Sequence, residues 1–203
     1  MNNQKVILFL NGEVPVEIPN LSIYFKIYCT DGSYAYLRKL NIKPHVISGD
    51  FDSIHMSEIP QDVQIIPTPD QNYTDFEKAL KLILEDGYKN VDVYGASGQQ
   101  QDHFLGNLHA AFKFKDLLSI TFYDNYSKYY FVTENTTLEN VLGKTISLLP
   151  YPLTEGITTE GLQYPLNNET LSITDRIGTR NKAVNNSVKI TYKKGNMLVF
   201  ILK

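Results

Sequence analysis

The sequence predicts an α/β protein in which an N-terminal, mostly parallel sheet with flanking helices precedes a smaller all-β, sandwich-like domain. Through the first two thirds of the chain, short apolar runs alternate with helical patterns, which is typical of parallel strands joined by helices. After about residue 126 no helical pattern remains, and segments rich in β-branched and aromatic residues are separated by Gly, Asn and Pro. Because 203 residues suffice for two domains, we expect one at residues 1–130 and another at 131–203.

The elements follow in order along the first part. Strands are expected at residues 5–10, 25–30, 45–48, 63–67, 91–96 and 119–125, and helices at 33–40, 74–87 and 102–114. The helix at 74–87 has the clearest pattern, because Thr74 and Glu77 can form a capping box and Gly87 stands where a C-terminal cap belongs. Near the C-terminus, residues 191–200 (TYKKGNMLVF) are interpreted as a hairpin.

Composition excludes several classes of protein. A net charge of −3 leaves no basic excess to neutralise the phosphates of a nucleic acid. The single cysteine, Cys29, allows no intrachain disulfide, which suits a reducing compartment. The N-terminal apolar run, Val6–Leu10, is shorter than a signal peptide or a membrane span requires. We therefore expect a cytoplasmic protein with neither membrane nor nucleic-acid partners.

Two aspartates, Asp50 and Asp52, lie in the segment HVISGDFDSIH (45–55), directly after a predicted strand. If this segment is extended, side chains two residues apart point the same way, so the two carboxylates converge. A divalent cation such as Mg²⁺ would offset their repulsion. A solvated turn with two surface acids is the alternative for the pair alone.

More aspartates follow other predicted strands. The C-terminal ends of parallel strands share one edge of the sheet, where ligands bind, so these acids should gather there. They are Asp31, Asp70, Asp75 and Asp102. Because neither a P-loop nor a Rossmann glycine motif is present, a bound nucleotide would have its phosphates neutralised mostly by metal. Lys78 shares a helix face with Asp75 and either reaches a phosphate or is a solvated helix lysine.

Several motifs occur in an order that resembles the thiamine pyrophosphokinases, over nearly the whole chain. They are LNG (10–12), DGSYAYL (31–37), PHVISGDFDSI (44–54), TPDQNYTDFEKAL (68–80), GASGQQQDHFLGNL (95–108) and TTEGLQYPLNNETL (158–171). The combination of GDFDS, TDF-x-K-A and DH-x-x-x-N is specific, whereas each motif alone is weak. The resemblance implies that the hydroxyl of thiamine attacks the β-phosphorus of ATP, which gives thiamine diphosphate and AMP.

The resemblance also assigns residues. It implies that Mg²⁺ and catalysis depend on Asp50, Asp52, Asp75 and Asp102. It assigns ATP contacts to Asn11, Asp31, Gly32, Lys78, Gln100 and His103, and thiamine contacts to Gln71, Thr74 and Asn181. It further implies a homodimer in which the β-domain of one subunit completes the thiamine pocket of the other.

The chain departs from the family pattern in two segments. Gln99, Gln100 and Gln101 stand where the family has an arginine, and Arg180 stands where it has a serine. These differences bear on affinity and substrate range more than on reaction type. A Mg²⁺-dependent pyrophosphokinase or nucleotide hydrolase with another small acceptor is therefore the alternative, and a Ca²⁺-binding protein that is not an enzyme is a third reading.

Overall fold

The computed structural model describes residues 2–52 and 54–203. The chain divides into two compact units, Met1–Asn125 and Tyr126–Lys203. The division precedes the expected boundary at 130/131, which would fall inside a strand that runs from Ser127 to Val132.

Within its described residues, the first unit has six strands and three helices. The strands are β1 (Asn2–Phe9), β2 (Lys26–Thr30), β3 (Val46–Gly49), β4 (Gln64–Pro67), β5 (Tyr88–Tyr94) and β6 (Ser119–Tyr123), and the helices are α1 (Asp31–Lys39), α2 (Asp75–Glu85) and α3 (Gln101–Phe114). Two 3₁₀ turns, Leu21–Ile23 and Met56–Glu58, lie in the connections. The strands pair in parallel in the order β4-β3-β2-β1-β5-β6. The predicted N-terminal parallel sheet is confirmed.

Local sequence explains how α2 is bounded. The Thr74 side chain accepts a hydrogen bond from the Glu77 amide at 3.2 Å, as a capping box requires. The Glu77 carboxylate does not complete the box and instead binds Lys113 of α3. At the other end, Gly87 has a left-handed φ of 87°, which glycine adopts without strain.

The strand order reverses direction between β1 and β5. From β1 the chain builds outward through β2, β3 and β4, and it then returns to the other side of β1 with β5. Backbone hydrogen bonds join the segments that follow these two strands, from Gly12 N to Gly95 O and from Glu13 N to Ser97 O, each 2.7 Å. A crevice at the carboxyl ends of strands at such a switch point is the usual ligand site of an open α/β sheet.

The second unit is all-β. Its strands are β7 (Ser127–Val132), β8 (Asn135–Glu139), β9 (Thr145–Glu160), β10 (Glu169–Ser172), β11 (Gly178–Lys182), β12 (Ser187–Thr191) and β13 (Lys194–Leu202). They pair antiparallel in the order β7-β13-β9-β12-β8, and β10 and β11 also pair with β9. The predicted all-β second part is confirmed.

The hairpin expected at residues 191–200 is wrong. Strands β12 and β13 both pair with β9: Thr191 lies opposite Thr158, and Lys194 lies opposite Glu155, so the chain continues along β9 without reversing. Gly195 marks a bulge in this path, with a φ of 102°, and a Cβ there would lie 2.1 Å from the Leu153 carbonyl oxygen. The glycine therefore permits a kink, although the same residue type favours turns.

The described helices include none with the length and apolar character needed to cross a membrane.

Candidate active site

A cavity of about 800 Å³ opens at the carboxyl edge of the parallel sheet, within the first unit. This volume is within the range of small-molecule and cofactor sites, roughly 300–1,000 Å³. Twelve of the residues predicted for the site line it: Asn11, Asp31, Gly32, Asp50, Asp52, Gln71, Thr74, Asp75, Lys78, Gln100, Asp102 and His103. The expectation that the strand ends gather aspartates at one edge is met by Asp31, Asp50, Asp52, Asp75 and Asp102, whereas the roles expected of the twelve residues stay predictions. Asp70 is an exception: it does not line this cavity but accepts hydrogen bonds from the backbone and side chain of Asn72, because it initiates a local turn.

Three carboxylates converge at this edge. Oxygen atoms of Asp31, Asp50 and Asp52 all lie within 4.8 Å of one another. Asp31 was expected to contact ATP and was not among the predicted metal ligands. Asp75 and Asp102, which were among them, line the same cavity outside this group of three.

Asp50 and Asp52 converge for a reason that differs from the expected one. Strand β3 ends at Gly49, and Phe51 has a left-handed φ of 61°, so the segment is not extended. For a residue with a Cβ this conformation costs about 1–2 kcal/mol. A tight turn, and not strand alternation, therefore places the two carboxylates together.

The surroundings of Asp31 and Asp50 shift their pKa values in opposite directions. Burial raises the pKa of the Asp31 carboxyl; hydrogen bonds from the backbone amides of Phe51 and Gly32 oppose this, and the charges of Asp75 and Asp50 add to it. For Asp50, the amide of Asp52 and the side-chain amide of Gln71 lower the pKa. Asp50 is thus held as a carboxylate by donors that prefer the charged form.

Lys78 is not the solvated helix lysine of the alternative reading. Its side chain is only 10% exposed, and its Nζ lies 2.7 Å from Asp75 Oδ1 and donates to the Thr68 carbonyl oxygen at 2.8 Å. The ammonium thereby ties the first turn of α2 to the segment after β4. Among the described lining residues, Lys78 is the only lysine or arginine.

The glutamine run has three different environments. Gln99 donates its side-chain amide to the Gly12 carbonyl oxygen at 2.7 Å and so joins the segments after β1 and β5. Gln100 is the N-cap residue of α3, makes no side-chain capping bond and faces the cavity. Gln101 is the first helical residue and is not among the lining residues. Asn107, four residues after His103 on α3, donates its side-chain amide to the Ala96 carbonyl oxygen at 2.8 Å.

The residues expected to contact thiamine make other contacts. Gln71 donates to Asp50 Oδ2 at 3.3 Å, and the Thr74 hydroxyl oxygen caps α2. Asn181 lies on β11 of the second unit, where its side chain accepts from the amides of Tyr164 and Lys182 and donates to the Tyr164 carbonyl oxygen. Tyr73 lines the cavity too, and sequence reasoning did not single it out.

Comparison with known proteins gives consistent matches. The family model for the thiamin pyrophosphokinase catalytic domain matches residues 24–122, and the model for the vitamin B1 binding domain of the same family matches 134–197. Thiamin pyrophosphokinase 1 of Caenorhabditis elegans is 28% identical, over 98% of this chain and 88% of that protein. Thiamine pyrophosphokinase of Bacillus subtilis is 26% identical, over 74% of this chain and 75% of its own length.

Solved structures share the fold. A thiamine pyrophosphokinase crystal structure from Bacillus subtilis superposes with a TM-score of 0.83 at 23% identity, and covers 98% of this chain and 99% of its own. A thiamin pyrophosphokinase family protein from Enterococcus faecalis gives 0.87 at 20% identity, with the same coverage.

The first unit is a parallel sheet with converging carboxylates at the carboxyl ends of its strands, and an all-β unit follows it. Together with relatives that match along its length, this arrangement defines a transferase of the pyrophosphokinase class. Both domain models match in chain order, one in each unit. The chain belongs to the thiamin pyrophosphokinase family.

Proposed function

We propose that the protein transfers the pyrophosphoryl group of ATP to the hydroxyl of thiamine, giving thiamine diphosphate and AMP. The observation that carries the proposal is the convergence of Asp31, Asp50 and Asp52 on a nucleotide-sized cavity at the switch point of the sheet. Family membership supports the reaction, and the volume and carboxylates of the cavity support binding of a polyphosphate together with a cation.

The donor set fits Mg²⁺. This ion takes oxygen ligands at about 2.1 Å in an octahedron, so ligand oxygens on opposite sides of it lie about 4.2 Å apart. Asp50 and Asp52, the two exposed members of the group of three, offer oxygens within 4.8 Å of each other, which is close to that span. In the proposal Asp50 and Asp52 hold the ion, and Asp75 and Asp102 complete the metal and phosphate site. When bound, Mg²⁺ neutralises phosphate charge and polarises the phosphoryl oxygens.

The protein's own groups bind and orient the substrates. Lys78 is the one lysine or arginine among the described lining residues, and Asp75 already neutralises much of its charge. ATP binding by side-chain cations alone is therefore disfavoured, and the proposal makes nucleotide binding depend on the metal. Asn11, Gly32, Gln100 and His103 line the cavity and are proposed to contact ATP. The hydroxyl oxygen of thiamine forms a bond to the β-phosphorus and gives up its proton, while the bond from that phosphorus to the oxygen it shares with the α-phosphorus breaks. AMP leaves with that oxygen.

The second unit is proposed to contribute thiamine binding and the interface of a homodimer. Support comes from the vitamin B1 binding domain model that matches residues 134–197. The expectation of a cytoplasmic protein stays a prediction.

A second candidate, a pyrophosphokinase for another small alcohol, is favoured by one observation. The amide of Asn181, expected to contact thiamine, has both its oxygen and its nitrogen engaged by backbone groups of its own unit. In its present contacts this residue is less available to a substrate than the resemblance implies.

One assay separates the two candidates. Purified protein is incubated with ATP and Mg²⁺, AMP is quantified, and the product is identified with thiamine, with a panel of other primary alcohols, and with no acceptor. AMP formed in equal amounts with thiamine diphosphate supports the first candidate. Preference for another alcohol supports the second, and AMP release that no acceptor stimulates indicates a nucleotide hydrolase and refutes both.

A further inference from the structure

Asp31 occupies an unusual position for a site carboxylate. It is the first residue of α1 and is only 6% exposed, although it belongs to the group that includes the exposed Asp50 and Asp52. Both of its oxygens accept hydrogen bonds from backbone amides. Oδ1 accepts from Gly32 N at 2.7 Å, and Oδ2 accepts from Phe51 N at 2.9 Å. The carboxylate therefore bridges the start of α1 and the turn after β3.

The end of β3 is shaped to receive this carboxylate. A Cβ on Gly49 would lie 2.2 Å from Asp31 Cγ and 2.3 Å from its Oδ2, closer than real Cβ contacts occur. The absence of a side chain at position 49 thus lets the carboxylate lie directly against the backbone of the neighbouring strand. Strands β2 and β3 pair in register, with Thr30 opposite Ser48, so the residues that follow them are brought together.

The turn after β3, which Asp31 connects to α1, is the segment that carries Asp50 and Asp52 and sets the positions of their carboxylates. Phe51 has a φ of 61°, a conformation that residues with a Cβ rarely adopt. Its amide donates to Asp31 Oδ2 at 2.9 Å, so the hydrogen bond fixes the orientation of the peptide group that joins Asp50 to Phe51, from which the turn continues. The same conformation holds the carboxylates of Asp50 and Asp52 near that of Asp31.

We infer that Asp31 is a positioning residue whose buried carboxylate holds Phe51 in the left-handed conformation and so presents Asp50 and Asp52 to a divalent cation. The cation's part in catalysis rests on the proposed function, whereas the role of Asp31 in shaping the turn does not. This role differs from the ATP contact that the resemblance implies, and also from that of a direct metal ligand.

The first test uses the ligand-free protein. We compare amide hydrogen exchange, resolved by NMR, in the wild type and in Asp31→Asn, which keeps the side-chain size but leaves one amide without its acceptor. Loss of a charge-assisted hydrogen bond should accelerate exchange of the Phe51 amide about tenfold or more, while strand amides at Val46 and Ile47 keep their rates as a control for folding. The asparagine oxygen can serve only one of the two amides, so unchanged exchange at both Phe51 and Gly32 would refute the inference, and faster exchange at Gly32 alone leaves the decision to the next variant.

A second variant covers the case in which Asp31→Asn does not fold. Gly49→Ala keeps the charge of Asp31 but places a methyl group where the carboxylate lies, so it should also accelerate Phe51 exchange. Gly106→Ala is the matched control, because a Cβ there meets nothing within 4 Å, and it should leave Phe51 exchange unchanged. Slow Phe51 exchange in a folded Gly49→Ala protein would equally contradict the inference.

The final experiment distinguishes positioning from direct ligation. Binding of Mn²⁺ alone is measured for the wild type, Asp31→Asn, Phe51→Gly and the double variant. In the protein with Phe51, Asp31→Asn should weaken Mn²⁺ binding about tenfold. In the Phe51→Gly background the same change should weaken it by less than about threefold, because glycine adopts the left-handed conformation without strain and needs no carboxylate to hold it. An equal loss in both backgrounds would make Asp31 a ligand and overturn the inference.

The outcomes for Asp31 and for the proposed function are separable. If the wild type binds no Mn²⁺, the metal part of the proposed function fails, and the exchange experiment alone decides the role of Asp31. If the protein makes no thiamine diphosphate but the Mn²⁺ cycle behaves as expected, the inference holds and the proposed reaction fails.

Discussion

Replacing Gln100 with arginine should strengthen ATP binding. The neighbouring Gln99 and Gln101 provide comparison positions, because each lies in a different environment. Gln100 faces the cavity at the start of α3 and makes no side-chain capping bond, so its replacement breaks no such bond. Gln99 is bound to the Gly12 carbonyl, and Gln101 is not among the residues that line the cavity. Only position 100 therefore offers a side chain that is both directed to the site and unengaged in capping.

The magnitude follows from two opposing terms. A hydrogen bond that involves a charged group contributes about 1.5–3 kcal/mol, against about 1 kcal/mol for a neutral one, and the guanidinium can grip a phosphate at two points. A cation at a helix N-terminus is disfavoured by about 0.3–1 kcal/mol, and α3 presents that end to the cavity. The first term exceeds the second by up to about 1.7 kcal/mol, and a gain of about 1.4 kcal/mol within that limit is a tenfold decrease in the Michaelis constant for ATP.

The assay is steady-state AMP formation, with ATP varied at saturating thiamine and then thiamine varied at saturating ATP. Gln100→Arg should change the ATP series and leave the Michaelis constant for thiamine unchanged. Gln101→Arg adds the same charge outside the lining and should have little effect, whereas Gln99→Arg breaks the bond to Gly12 and should impair turnover. If none of the three changes ATP kinetics, the reasoning that places position 100 at the phosphates is refuted.

Three further predictions concern the metal, the quaternary structure and alkaline stability. Asp52→Asn should lower Mg²⁺-dependent turnover by about a hundredfold or more. The metal-free variant should unfold at the same or a higher urea concentration than the wild type, because one of three converging charges is removed. Asp116→Asn, outside the cavity, is the control, and a fully active Asp52→Asn enzyme would refute the metal assignment. Light scattering should give the mass of a dimer, and a fully active monomer at the assay concentration would contradict the proposed interface. Burial raises the pKa of Tyr94 to about 12. The unfolded chain therefore loses this proton from about pH 10, whereas the folded protein keeps it up to about pH 12. The free energy of unfolding should consequently fall between pH 10 and 12. Tyr94→Phe should remove about 1–2 kcal/mol of that fall in urea titrations at pH 8 and 11, and an identical fall in both proteins would show that Tyr94 is not responsible.

Features that depend on local sequence could be predicted well. Helix α2 begins at Thr74 and ends before Gly87 because its capping groups and its apolar face are encoded within a dozen residues. The gathering of acids at one sheet edge could also be foreseen, because parallel strands bring their carboxyl ends together whatever their order.

Features that depend on long-range contacts could not. Phe51 carries no turn signal, and its left-handed conformation depends on a carboxylate that lies twenty residues earlier in the chain. Gly195 does carry a turn signal, but pairing with the long strand β9 makes it a bulge in a continuing strand. In both cases the local preference of the residue differs from its conformation in the fold, and a partner distant in sequence decides the outcome.

The site is held together largely by contacts to the backbone, and this has a consequence for its charge. Asp31 accepts from two backbone amides, Gln99 donates to a backbone carbonyl, and Lys78 divides its ammonium between a carbonyl and Asp75. These polar side chains therefore act mainly in shaping the cavity, and the charge that remains toward it is carried by Asp50, Asp52 and Asp102. A negatively charged cavity of this kind repels a bare polyphosphate and attracts a divalent cation. In the proposed function, this arrangement favours entry of the nucleotide together with its metal. The position of the carboxylates, which the turn at Phe51 sets, is then the feature on which binding most depends.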